Sequence, residues 1–309
     1  MPIPYSVVDA FTSDAFSGNP ASVICQDVGS DELKQKIANE FNLAETAFTK
    51  PLEDHTAQEP HLELRWFTPE VEAPLCGHAT LATTAVLFSQ FSPIEISPDA
   101  RQIVFESIKG AGQLVARKLS STRFSLDFPA EDVDKIVNLQ DGPEFDEQVD
   151  ILTQACPSLA GHVLRVCRLT KYGVLIEVSP SINIEHLQVN AQTLMQDKQE
   201  PLLTILTSPT PKDASRQDRD VFSRVFAPCA GIPEDPVTGA AHTCIAPYWL
   251  ATEARTRLND ARFEDDKVNE IKCRQVSARG GDVDVTYEAQ AGRVHLVGET
   301  KIVMRGEIL

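Results

Sequence analysis

The feature that most constrains how this chain can fold is Gly231–Leu250 (GIPEDPVTGAAHTCIAPYWL), an acidic turn that runs straight into an apolar helix. Pro233 and Pro236 stiffen the turn and Gly239 relaxes it. The small residues Gly239, Ala240 and Ala241 then let a ligand approach the backbone N–H groups that open the helix. Such a helix start attracts a carboxylate or an oxyanion, and Glu234 and Asp235 stand beside it. Taken alone, the stretch reads equally as a Pro-Gly turn whose Asp caps a helix.

A second copy changes that balance. Thr68–Phe88 (TPEVEAPLCGHATLATTAVLF) again gives an acidic, proline-rich turn, a glycine and a helix of small and apolar residues, with Gly77-His78-Ala79 echoing Gly239-Ala240-Ala241. The helix is apolar on all sides, which predicts burial rather than a surface position. Two such units imply two similar halves. If their helix starts face each other, one cleft collects two positive dipole ends with the acidic, thiol and imidazole groups of both turns.

Between these copies the chain reads mostly as strands. Pro4–Phe11 and Ala21–Cys25 flank the turn at Ser17–Pro20. Glu32–Phe41 has Leu33, Ile37 and Phe41 at helical spacing. Glu45 follows where a helix-to-strand connection meets the sheet, among Leu43, Ala44 and Ala47; apolar surroundings raise a carboxylate's pKa and suit it to passing protons near neutral pH. An exposed Glu at a strand end fits the same spacing. His61–Phe67 alternates as a strand, and three β runs follow between residues 103 and 128, with Leu119–Thr122 expected as the crossing between halves. Residues 1–118, rejoined by 300–309, are expected to form one half and residues 119–299 the other. A closing β series is expected at Asp282–Tyr287, Arg293–Val297 and Lys301–Met304.

The net charge of −17 offers nothing to nucleic acid or an anionic membrane surface, so neither is expected as a partner and the ligand is expected to be small. No basic-then-apolar leader and no bilayer-length apolar run stand out, so the cytoplasm is the expected compartment. Seven scattered cysteines without metal-binding spacing read as free thiols, and no metal site is expected.

Several segments together resemble the PhzF-like family: Val8–Phe11 with Phe16–Ala21, Asn42–Thr46, Arg65–Pro69 with Leu75–Thr80, Arg224–Pro228 with Gly231–His242, and Val303–Glu307. The resemblance runs nearly end to end. It implies an α+β fold of the diaminopimelate epimerase type, with two pseudo-symmetric domains, each a mostly antiparallel sheet wrapped around a central helix, and an active site between them. It further implies a homodimer and a cofactor-independent isomerase acting on a small amino or cyclic carboxylate.

In that family pattern Glu45 is the proton-shuttling carboxylate, with His78 and Asp235 orienting or polarising the substrate. Gly77, Gly239 and Ala240 would cradle a substrate carboxylate by their backbone, and Asn19 would line the same pocket. Many relatives carry a serine where this chain has Ala240, which puts the phenazine precursor itself in doubt as substrate. Cys76 resembles the first thiol of the related two-cysteine epimerases, but the second position here is acidic, so it reads as a small apolar residue rather than a base. An epimerase or racemase using Cys76, and a non-catalytic binding protein on the same fold, remain as alternatives.

Overall fold

The computed structural model describes residues 2–109, 112–139, 141–170, 172–195 and 202–309. The chain divides into two compact units: residues up to Phe128 together with His295–Leu309, and Pro129–Val294.

In the first unit β1 (Ile3–Ala10) and β2 (Asn19–Ile24) are antiparallel. Helix α1 (Asp31–Phe41) starts where the Ser30 hydroxyl accepts the Leu33 N–H and stops where Asn42 turns left-handed. It returns the chain so that β3 (Glu45–Pro51) lies parallel to β2. Strand β4 (His61–Phe67) is antiparallel to β3 and carries the short β5 (Glu72–Ala73). After α2 (Gly77–Leu87), β6 (Gln102–Ser107) runs parallel to β4, followed by the antiparallel β7 (Gly112–Lys118) and β8 (Arg123–Pro129). Ile24, Ile37, Ala38, Phe48 and Phe67 form a buried cluster beneath α1, each large side chain contributing roughly 1.5–3 kcal/mol.

The second unit opens with β9 (Val137–Leu139) and α3 (Pro143–Ala155). It then repeats the same order with β10 (Val163–Arg168), β11 (Gly173–Val178), β12 (Leu203–Pro209), β13 (Val221–Ala227), β14 (Ile232–Asp235), α4 (Gly239–Ala251), β15 (Glu270–Gln275) and β16 (Gly281–Glu288). The pairings match those of the first unit: β10–β11 antiparallel, β11–β12 parallel, β12–β13 antiparallel, β13 carrying β14 and parallel to β15, and β15–β16 antiparallel. The fold is α+β, with a mixed sheet and few helices. Finally β17 (Arg293–Ile308) runs antiparallel to β1, from the Ala10–Thr300 pair to the Ile3–Ile308 pair, with a bulge between Val7 and Val8.

Both helices that follow the acidic turns lack a solvent face. Ten of the eleven residues of α2 are buried, and its threonines tolerate this because Thr80, Thr83 and Thr84 donate to carbonyls one turn back at 2.6, 2.7 and 2.8 Å. In α4, Pro247 removes the N–H that would bond the Thr243 carbonyl, and the Glu131 N–H takes that place at 2.9 Å.

The repeat extends to side chains. Arg65 clamps Glu72 at 2.7 and 2.9 Å with its guanidinium 5.2 Å over the Phe67 ring; Arg224 clamps Glu234 at 2.7 and 2.8 Å, again 5.2 Å over Phe226. Each pair ties the segment leading to a buried helix onto the preceding strand.

Two sequence expectations need correction. Leu119–Thr122 does not cross between halves: Leu119 and Ser120 donate to the Arg123 carbonyl, so it is a tight turn between β7 and β8 inside the first unit. The expected strands at 293–297 and 301–304 are one continuous strand, because Gly298 extends the backbone where a Cβ would strike the Phe11 and Leu81 side chains.

Candidate active site

Strand alternation brings the first unit's polar residues together. Ala21 pairs with Glu45 across the parallel β2–β3 ladder, so Asn19, Ala21 and Val23 share a face with Glu45 and Ala47, while the Ser22 and Thr46 hydroxyls meet at 2.7 Å on the other. Asn19 is held at the start of β2 by Gly18, whose φ of 65° admits the turn out of the preceding loop. Glu45 is the first residue of β3, with 13% of its side chain exposed. His78 is the second residue of α2.

The Glu45 Oε2 lies 3.3 Å from His78 Nε2. On the other side of the ring, His78 Nδ1 lies 3.2 Å from Asn19 Nδ2 and 3.3 Å from Cys76 Sγ. An amide NH₂ can only donate and a thiol can donate, so Nδ1 carries the lone pair and Nε2 the proton aimed at Glu45. Burial pushes the imidazole down to about 3, which keeps it neutral at any physiological pH. The Cys76 sulfur also accepts the Ala79 N–H at 3.4 Å as the N-cap of α2. The donor atoms of Glu45, Cys76 and His78 lie within 4.8 Å of one another, with the carboxylate on Nε2 and the sulfur nearest Nδ1.

In the second unit Asp235 ends β14 and is buried. The Thr238 hydroxyl donates to its carboxylate. Gln275 ties both residues down: its Nε2 donates to the Asp235 carbonyl at 2.6 Å and its Oε1 accepts the Thr238 N–H at 2.9 Å. His242 Nδ1 donates to the Thr238 carbonyl at 2.8 Å. Glu234 is committed to Arg224, leaving Asp235 as the acidic group of this turn with a chemical role open to it.

Gly77 and His78 are the first two residues of α2, and Gly239 and Ala240 the first two of α4, positions whose N–H groups have no acceptor within a helix. Thus Asn19, Glu45 and His78 come together in one unit, while Asp235, Gly239 and Ala240 belong to the other. The sequence reading missed Cys76 as a cap that touches the imidazole, a contact that Cys-Gly-His at a helix start could have signalled. It also missed Gln275, which lies forty residues from Asp235 and reaches it only because β15 lies beside β13.

The family model described as phenazine biosynthesis-like protein, PhzC-PhzF, matches residues 8–306. The chain belongs to this family. A mouse relative named phenazine biosynthesis-like domain-containing protein 2 is 35% identical over 319 residues, covering 100% of this chain and 99% of the relative. A Halalkalibacterium halodurans relative named as an uncharacterized isomerase is 34% identical over 310 residues, with the same coverage. Among solved structures, that of a PhzF-family phenazine biosynthesis protein from Enterococcus faecalis is similar, with a TM-score of 0.76, 29% identity and 100% of each chain covered. The PhzF-family fold is therefore shared along the whole chain.

Proposed function

We propose that this PhzF-family protein is an isomerase that needs no cofactor and moves a proton between two carbons of a small amino or cyclic carboxylate through Glu45. The observation that carries the proposal is the pairing of the Glu45 carboxylate with a neutral, tautomer-fixed His78. The Nε2–H donor holds the carboxylate in one orientation without a full positive charge, which would weaken it as a base. Glu45 then takes a proton from a carbon next to the substrate carboxylate. The electron pair shifts along the adjoining double bond, and the same carboxyl returns the proton at the far carbon. Reactants and product have the same composition, so the balance closes without an external oxidant or reductant.

Asp235, fixed by Thr238 and Gln275, is proposed to hold a substrate ammonium group. The first N–H groups of the helices at Gly77-His78 and Gly239-Ala240 are proposed to receive substrate carboxylate. With Ala240 offering no hydroxyl, the substrate is expected to differ from the phenazine precursor at the atom a serine would contact. A homodimer is proposed on the resemblance alone.

A second reading has its own observation: the Cys76 thiol lies 3.3 Å from His78 Nδ1, which would orient its sulfur as an epimerase base. The two readings part on mutation. Glu45→Gln is expected to lower turnover of the isomerised substrate about 10³-fold or more, with Cys76→Ala within about tenfold of wild type. The reverse order would give the thiol reading the site.

A further inference from the structure

The two units differ at the far end of their buried helices. Val86 and Tyr248 hold the same place, each the tenth residue of its helix, α2 and α4. Strand register extends the correspondence: Ser6–Val23–Ala47–Trp66 run across β1 to β4 as Cys167–Leu175–Ile205–Val225 run across β10 to β13, and Trp66 and Val225 each follow a clamping arginine. Cys25, two residues past Val23, therefore matches Glu177, two residues past Leu175. In the second unit these positions are filled. The Tyr248 hydroxyl donates to the fully buried Glu177, which Arg257 also grips at 2.6 and 2.7 Å, and the cavity beside them measures about 90 Å³. In the first unit the matching residues are Val86, Ser6 and Cys25, too small to fill the space, and they line a cavity of about 320 Å³. That is large enough for a small organic ligand, whose sites run from roughly 300 to 1,000 Å³.

The charges on the cavity's wall say what such a ligand must carry. Ser6 lies opposite Arg305 and Pro4 opposite Glu307 across the β1–β17 ladder, so both charged residues stand on the cavity's face, about 6–7 Å apart along the strand. The Arg305 guanidinium lies 3.6 Å over the Phe91 ring. Among the described residues Arg305 is within ion-pair reach of no carboxylate, and Glu307 of no cation. We propose that this cavity binds a free aromatic α-amino acid, with its ring in the place that Tyr248 fills in the second unit, its carboxylate on Arg305 and its ammonium on Glu307. The ring would lie against Val23 and Val86, which supply the apolar part of the lining, and the two flexible charged side chains close on the two ends of one α-carbon. The site is separate from the one at the start of α2: eight residues of helix, about 12 Å, divide His78 from Val86.

The test is isothermal titration of the full chain with L-phenylalanine and L-tyrosine, for wild type, Arg305→Met, Glu307→Gln, Val86→Tyr and Glu45→Gln, each checked for native circular dichroism. Wild type is expected to bind one equivalent of at least one of the two. Arg305→Met and Glu307→Gln, changes at exposed side chains, are each expected to weaken it at least about tenfold. Val86→Tyr, which puts the second unit's residue into the cavity, is expected to abolish it, and Glu45→Gln to leave it unchanged. Phenylacetate and phenethylamine, each lacking one charge, are expected to bind at least about tenfold more weakly than L-phenylalanine. No saturable uptake of either amino acid at millimolar concentration overturns the site, as does uptake that is unchanged in both Arg305→Met and Val86→Tyr. Uptake lost in Glu45→Gln would move the ligand to the start of α2 and overturn it too. Phenylacetate or phenethylamine binding as tightly as L-phenylalanine overturns the assignment of an amino acid.

Discussion

His242 makes a definable contribution to the pH dependence of stability. Its ring is fully buried on α4, with Nδ1 donating to the Thr238 carbonyl and no hydrogen-bond partner for Nε2 among the described residues. A second proton there would be desolvated and unpaired, so burial pushes the imidazole from 6.5 down to about 4. In the unfolded chain the ring titrates at its ordinary value, so below pH 6.5 the unfolded state binds the extra proton and the folded state does not. Stability from this group is therefore complete above pH 6.5 and is lost as pH falls towards 4. Between pH 8 and pH 5 linkage gives a loss of about 2 kcal/mol.

Urea unfolding of wild type and His242→Gln at pH 8, 7, 6 and 5 isolates the effect, because every other titrating group is common to both. The variant carries its own constant offset, but its decline over that range should be shallower by about 2 kcal/mol. Parallel stability curves would refute the reasoning, since they would mean that the ring accepts a proton in the folded protein as easily as in the unfolded chain.

Other substitutions probe the frame around the site. Gly18→Ala puts a Cβ into the Ala10 carbonyl oxygen at a left-handed φ of 65°, and is expected to cost at least about 2 kcal/mol in urea unfolding; a loss below about 0.5 kcal/mol would contradict the turn geometry that places Asn19. Arg224→Met strands Glu234 and the Leu187 carbonyl, which Arg224 bonds at 2.6 Å, and is expected to cost about 2–4 kcal/mol by the same assay; a neutral result would show the clamp to be dispensable.

Much of this was legible in the sequence because periodicity records burial. The all-apolar runs after Gly77 and Gly239 identify two buried helices, since a helix without a polar stripe has nowhere else to go. The repeat of acidic turn and helix likewise announces the repeated strand order. Less was legible where long-range pairing decides. A turn of Leu-Ser-Ser-Thr looks the same whether it closes a hairpin or crosses to another unit, and only the pairing of β7 with β8 distinguishes them.

The site divides in the same way. Glu45 stands out as a carboxylate among apolar neighbours, but that it meets His78 follows from the β2–β3 register and the position of α2, neither of which is written locally. Cys76 was hidden by its chemistry: a lone buried cysteine reads as a small apolar residue until its sulfur is seen capping a helix and touching an imidazole. Glu234 shows the converse case. The turn alone does not separate it from Asp235, which only the resemblance singles out; Arg224, ten residues back on β13, takes Glu234 into the frame.

The most direct measurement of the central claim is solvent deuterium incorporation, read by mass spectrometry, into a panel of small amino and cyclic carboxylates incubated with wild type and with Glu45→Gln. Proton shuttling through Glu45 predicts exchange at carbon in wild type that is lost in Glu45→Gln and kept in Cys76→Ala. Exchange that survives Glu45→Gln and disappears in Cys76→Ala would contradict the account and assign the proton transfer to the thiol.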